Sequence, residues 1–237
     1  MSEGNTEIIV VLDRSGSMQS CASDTAGGFD AFVEEQRKAP GEAHLTLAQF
    51  DDKYDIVHSR VPIAEVPKLD FQPRGCTALF DAIGKTISAT KEQIKNQRPG
   101  PDAVICLIIT DGEENASKEY KKENIKSMIE DAEKSLGWRF VFIGANQDAF
   151  KEACGMGISG SSTRNYDVVQ TKGMFDSVSR GIGRYRSSVS QVYSSDASVG
   201  ASIEDSRSKA KETVDSLNAE NFFDVDDDAS DENGIIS

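Results

Sequence analysis

Two stretches of the chain are apolar without interruption, Ile8-Ile9-Val10-Val11-Leu12 and Ala103-Val104-Ile105-Cys106-Leu107-Ile108-Ile109. Strands apolar on both faces are typical of the middle of a parallel sheet. The pattern predicts buried strands over Thr6–Leu12, Ala103–Thr110 and Trp138–Gly144. His44–Phe50 and Tyr54–Val61 instead alternate in character, and Asp51-Asp52-Lys53 between them suits a short hairpin turn. Helical spacing runs through Ser20–Lys38 (Ala22, Ala26, Phe29, Phe32, Val33), which Pro40-Gly41 stops. It returns in Ala78–Ile94 (Leu79, Ala82, Ile83, Ile87) and in Glu119–Leu136 (Ile125, Met128, Ile129, Ala132). Asp148–Cys154 reads as a short helix, Val168-Val169 as a small edge strand, and Thr171–Val192 as the last helix of the domain. This alternation predicts an α/β fold: a doubly wound, mostly parallel central sheet, one antiparallel edge strand, and helices on both faces.

Charge divides the chain. The net charge of the 237 residues is −14, and Ser194–Ser237 carries twelve acidic and three basic residues. Few apolar side chains remain there to bury a core. Residues 1–193 are therefore expected to form the domain, and 194–237 an acidic, flexible tail in which Ile203–Phe223 forms at most a transient helix. The negative balance opposes direct binding to nucleic-acid backbones and favours solubility. The N-terminus lacks a basic stretch followed by an apolar one, and no segment has the apolar length that spans a bilayer. No membrane contact and a cytoplasmic location are expected. Cys21, Cys76, Cys106 and Cys154 form no CxxC pair, so free thiols in a reducing compartment are the default.

Candidate chemistry sits behind the apolar runs. Asp13-Arg14-Ser15-Gly16-Ser17 follows the first, so a buried strand delivers one carboxylate and two hydroxyls into its C-terminal loop. Open α/β sheets bind ligands outside that end of their strands. Oxygen-only donors suit Mg²⁺, Mn²⁺ or Ca²⁺. Thr77 precedes a helix, and Asp111 follows the second apolar run. Taken singly, Thr77 reads as a helix cap and Asp111 as a turn aspartate. Taken together, the three segments can converge on one sheet edge with two carboxylates and three hydroxyls. Neutral hydroxyls leave Mg²⁺ short of negative charge, with room for waters and an anion from outside.

Asp13-x-Ser15-x-Ser17, then Thr77, then Asp111 resembles the metal-ion-dependent adhesion site of von Willebrand factor A-type (vWA) domains in order, spacing and strand context. The flanking words Leu12-Asp13-Arg14-Ser15-Gly16-Ser17-Met18, Cys76-Thr77-Ala78-Leu79-Phe80-Asp81-Ala82-Ile83, Thr110-Asp111-Gly112-Glu113-Glu114-Asn115 and Gly144-Ala145-Asn146-Gln147-Asp148 look like the bacterial and phage branch of that family. The resemblance covers about Glu3 to Val192. It implies that Ser15, Ser17 and Thr77 bind the cation through hydroxyl oxygens, and Asp13 and Asp111 directly or through water. It also implies a non-catalytic protein-interaction module, in which an Asp or Glu of a protein partner completes the coordination.

Arg14, Cys76, Glu113 and Glu114 fall at the rim. Arg14 either steers an acidic ligand or pairs with a neighbouring carboxylate. Glu113 and Glu114 either open a solvated helix, where acids suit the dipole, or favour a basic patch beside the partner's carboxylate. Two further uses of the tail stay open. Asp224–Asp228 of one copy could dock on the metal site of the next and drive self-assembly. The tail could also mimic nucleic acid or bind a basic partner.

Other signals are weaker. Gly155-Met156-Gly157-Ile158-Ser159-Gly160 matches GxGxxG, but a helix precedes it and a polar loop follows, so a turn is expected rather than a nucleotide site. His44 and His58 have no partner at zinc spacing. A Ser15-His58-Asp111 triad lacks a nucleophile elbow. Phosphotransfer on Asp13 would want a second acid where Ser15 stands.

Overall fold

The computed structural model describes residues 4–145, 147–165 and 171–223. Six strands form one sheet: β1 (Asn5–Asp13), β2 (Glu42–Phe50), β3 (Tyr54–Pro62), β4 (Ala103–Thr110), β5 (Arg139–Gly144) and β6 (Thr163–Asn165). Their spatial order is β3-β2-β1-β4-β5-β6. Every pairing is parallel except β2 with β3. The helices are α1 (Ala22–Lys38), α2 (Leu79–Lys95), α3 (Lys122–Leu136), α4 (Gln147–Gly155), α5 (Thr171–Val199) and α6 (Ile203–Asn218). Both continuous apolar runs lie in the middle of the sheet, as parallel strands covered on two faces should.

Alternate residues of β1 face opposite cores. Ile8, Val10 and Leu12 pack with Phe29, Phe32, Phe175 and Ile182 of α1 and α5. Ile9 and Val11 pack with Ile83, Ile87, Ile125 and Ile129 of α2 and α3. Chain order moves outward from β1 to β2 and β3, then returns across β1 to β4. The strand order therefore reverses between β1 and β4, and a crevice opens at their C-terminal ends.

The expected boundary falls inside α5, which continues to Val199. Residues 203–218, expected within the flexible tail, form α6 and pack on the domain. Ser206, Ala210 and Val214 recur every four residues and are buried. So narrow a stripe is enough to seat a helix whose other faces are charged. Ser202 caps it by accepting the Asp205 amide at 3.1 Å. Phe222 then lies so close to Gly181 of α5 that a Cβ there would come within 2.5 Å of its ring. Asp224–Asp228 and Val168-Val169 lie outside the described residues.

Arg186 ties α5 to α1. It is almost fully buried and donates to the carbonyls of Gln36, Ala39 (3.1 Å) and Gly41 (2.8 Å) at the end of α1. A cation there complements the negative end of the helix dipole. Burial pushes its guanidinium down to about 10. Among the described residues, no helix is long and apolar enough to cross a membrane.

Candidate metal centre

The β1–β4 register creates the site. Leu12 pairs with Ile109, so Asp13 and Thr110 come next, side by side, at the mouth of the crevice. Oδ1 of Asp13 accepts the Ser15 amide at 2.6 Å, which folds the loop back over the strand end. The Ser15 and Ser17 hydroxyls are 3.0 Å apart, and Ser17 donates to Oδ1 of Asp111 at 2.7 Å. Thr77 arrives from the loop before α2. Its amide donates to Oδ1 of Asn115 at 2.9 Å, and its carbonyl accepts the amides of Asn115 and Ala116.

Gly112 marks the middle of the group. A Cβ on it would lie 3.2 Å from Oγ1 of Thr77, 3.5 Å from Oγ of Ser17 and 3.9 Å from Oδ2 of Asp13. With the hydrogen bond between the Ser15 and Ser17 hydroxyls and the one Ser17 donates to Asp111, all five expected ligands share one small cradle. Ser17 is exposed, whereas Asp13, Ser15 and Thr77 are buried, so the cradle opens upward through Ser17.

The charge of the cradle fits a cation. Burial raises the Asp13 carboxyl to about 6, although hydrogen bonds from Thr110 and Ser15 oppose this and nearby Asp111 adds to it. Burial also raises Asp111, against the hydrogen bond from Ser17. These five residues, two partly desolvated carboxylates and three hydroxyls, form a hard-oxygen set suited to Mg²⁺, Mn²⁺ or Ca²⁺. No group of three or more His, Cys, Asp or Glu side chains able to hold a metal occurs among the described residues. A cation here would therefore lean on hydroxyls and water. The donor set, the shared cradle and the opening fit such an ion.

The rim differs from expectation. Arg14 is buried and spent: it donates to Asp51 at 2.9 Å and pairs with Asp55. It is not free to steer a ligand. Glu113 is exposed, but Glu114 is tied down. Glu114 accepts the amides of Phe80 (3.0 Å), Ala116 (2.9 Å) and Ser117 (2.7 Å), and the Ser117 hydroxyl. Neither glutamate opens a helix of its own, because α3 begins only at Lys122. Ahead of it the Asp81 carboxylate accepts the amides of Lys118, Glu119 and Tyr120. Cys76 is exposed in a groove of about 510 Å³ with Asp52, Lys85, Asn115 and Lys118. Cys21, the other cysteine beside a site loop, is buried.

Sequence reasoning missed four contributors: Thr110, Gly112, Asn115 and Asp51. Thr110 and Asn115 act by hydrogen bonds to residues distant in sequence, and Asp51 by ion pairs. Only the position of Gly112, directly after Asp111, offered a local signal. The GxGxxG stretch forms the end of α4, a turn at Gly157 and a 3-10 turn, with no strand before it.

No protein-family model and no curated protein matches the sequence. Solved structures do resemble the fold. The vWF domain of the type V pili tip protein Mfa5 from Porphyromonas gingivalis superposes with a TM-score of 0.55 at 8% identity, over 78% of this chain and 97% of that one. This is a vWA-like fold. Proximal thread matrix protein 1 from the mussel byssus aligns with a TM-score of 0.55 at 15% identity, over 76% of this chain and 46% of its own. The chain thus spans about half of that protein. The manganese-loaded TRAP protein of Plasmodium vivax gives a TM-score of 0.50 at 12% identity, with 73% of each chain covered. At these identities the vWA likeness concerns architecture, so the function must be argued from the site.

Proposed function

We propose that the chain is a non-catalytic interaction module that uses a divalent cation, Mg²⁺ or Mn²⁺, to grip a carboxylate of a protein partner. The observation that carries this reading is the oxygen cradle around Gly112, where a Cβ would meet Thr77, Ser17 and Asp13. Asp13 and Asp111 supply the negative charge, and Ser15, Ser17 and Thr77 supply neutral oxygens. When bound, the cation offers a partner's Asp or Glu oxygen an electrophilic centre to ligate. Thr110 and the Ser15 amide hold the Asp13 carboxylate in one orientation. The missing side chain of Gly112 keeps the mouth open. A manganese-loaded protein and a pilus-tip protein stand among the structural neighbours, which agrees with this reading.

Calorimetric titration of Mg²⁺ and Mn²⁺ into the wild type and Asp13→Ala tests the first half. Wild-type binding that the variant loses is expected, and equal heats from both proteins would overturn it. Capture from native lysate in Mg²⁺ against EDTA tests the second. A partner retained only with metal is expected, and Asp13→Ala must lose the same partner.

A further inference from the structure

We infer that Asp51 is a positioning residue of the metal centre, a buried clasp that sets where Thr77 stands relative to Ser15 and Ser17. Thr77 needs such a device. Asp13 and Asp111 sit at the ends of core strands, but Thr77 closes an irregular stretch, 66–78, with no strand of its own. A loop of that length is held only by the bonds its backbone and side chains find elsewhere.

Asp51 supplies them from the turn between β2 and β3. Its Oδ2 accepts Nε of Arg14 at 2.9 Å and Nε of Arg74 at 2.8 Å. Its Oδ1 accepts the Lys53 amide at 2.7 Å, which fixes the carboxylate plane. Its carbonyl accepts the Ala78 amide at 2.9 Å. Arg14 lies between Asp13 and Ser15, and Ala78 follows Thr77. One buried residue thus holds the immediate neighbours of ligands on both loops. Two backbone bonds close the same bracket, Arg74 amide to Arg14 carbonyl at 2.7 Å and Gly16 amide to Gly75 carbonyl at 3.1 Å. Gly75 packs onto the hairpin turn so tightly that a Cβ would lie 2.4 Å from Oδ1 of Asp52. Removing one partner of a buried charge cluster leaves the others uncompensated, so the loops should shift rather than tolerate the loss. Groups that orient metal ligands from behind commonly govern affinity by about 10- to 100-fold.

The inference rests on the metal-binding reading, and the two fail separately. Arg74→Ala is the leading variant, because its side chain is more than half exposed and its loss should spare the core. Asp51→Asn is the second variant. Lys91→Ala, which breaks an ion pair with Asp131 on the α2–α3 face, is the control. Two quantities are measured: Mn²⁺ affinity by electron paramagnetic resonance, and metal-free amide exchange at Ala78 in EDTA. Both clasp variants should weaken Mn²⁺ about tenfold and speed Ala78 exchange, Lys91→Ala should do neither, and Arg74→Lys should recover part of the affinity. Mn²⁺ affinity within twofold of wild type for Arg74→Ala, with unchanged Ala78 exchange, would overturn the clasp. A wild type that binds no Mn²⁺ would overturn the metal reading alone, and Ala78 exchange would still decide whether Asp51 holds the loop.

Discussion

Thr110 donates its hydroxyl hydrogen to Oδ2 of Asp13 at 2.6 Å. The two residues are 97 positions apart, and they meet because β1 and β4 run parallel with Leu12 opposite Ile109. A short bond to a buried carboxylate is charge-assisted and stronger than a neutral one. Thr110→Val keeps the shape and removes the donor. The Asp13 carboxylate then loses its fixed plane, and Mn²⁺ affinity should fall about tenfold. Calorimetry on the wild type and variant measures this, and unchanged affinity would show that Ser15 alone orients Asp13.

Gly112 gives a sharper steric case. Its backbone is not among the positive-φ glycines, so alanine is allowed there by conformation. The added methyl would nevertheless press on Oγ1 of Thr77 at 3.2 Å and touch Oγ of Ser17 at 3.5 Å. Gly112→Ala should abolish Mg²⁺ and Mn²⁺ binding while the melting temperature in EDTA stays close to that of the wild type. A large drop in that melting temperature would instead assign Gly112 a structural duty.

Asp81 links stability to pH. Burial alone would raise its carboxyl, but amide bonds from Lys118, Tyr120 and Glu119 and the nearby Lys85 charge outweigh this and hold it below the ordinary value. A depressed folded pKa adds stability above the unfolded pKa of about 4, and that stability is lost as pH falls through the folded value. Asp81→Asn should therefore cost about 1–3 kcal/mol at pH 7. The gap to wild type should shrink below about pH 4. Urea denaturation at several pH values measures both, and a gap that did not change with pH would exclude the carboxylate as its source.

Phe222 tests whether residues beyond 193 belong to the domain. Its ring is buried, 6.2 Å from Tyr185 and 5.1 Å from Phe223 between centroids. Phe222→Ala should destabilise the protein by about 3–5 kcal/mol, the usual cost of emptying a large aromatic site. Ending the chain at Tyr193 removes α6 as well and should cost more. Equal denaturation midpoints for wild type and Phe222→Ala would return that segment to the status of a tail.

Much of this protein is legible along the chain because the signals are local. An unbroken apolar run such as Ala103–Ile109 can hide both faces only in the middle of a covered sheet, so β4 follows from the run itself. The five expected oxygen donors were named from where each stands relative to a strand end or a helix start and from the vWA resemblance, and the fold brings them to one edge. In the acidic segment after 193 a helix over Ile203–Phe223 was legible, but the burial of Ser206, Ala210 and Val214 was not, because that stripe matters only once α5 offers a surface for it. For Arg14 the sequence left two readings, steering a ligand or pairing with a carboxylate, and only the fold shows that Asp51 and Asp55 take it up. The alternation of strands and helices and the mostly parallel sheet were thus legible in the sequence through periodicity, and the metal ligands were an expectation from spacing and the vWA resemblance. The tertiary structure alone decided the distances between donors, the hold of Thr110 on Asp13, the clasp at Asp51 and the seating of α6. Each of those depends on contacts between residues far apart in the chain, which exist only after parallel pairing and helix packing have brought them together.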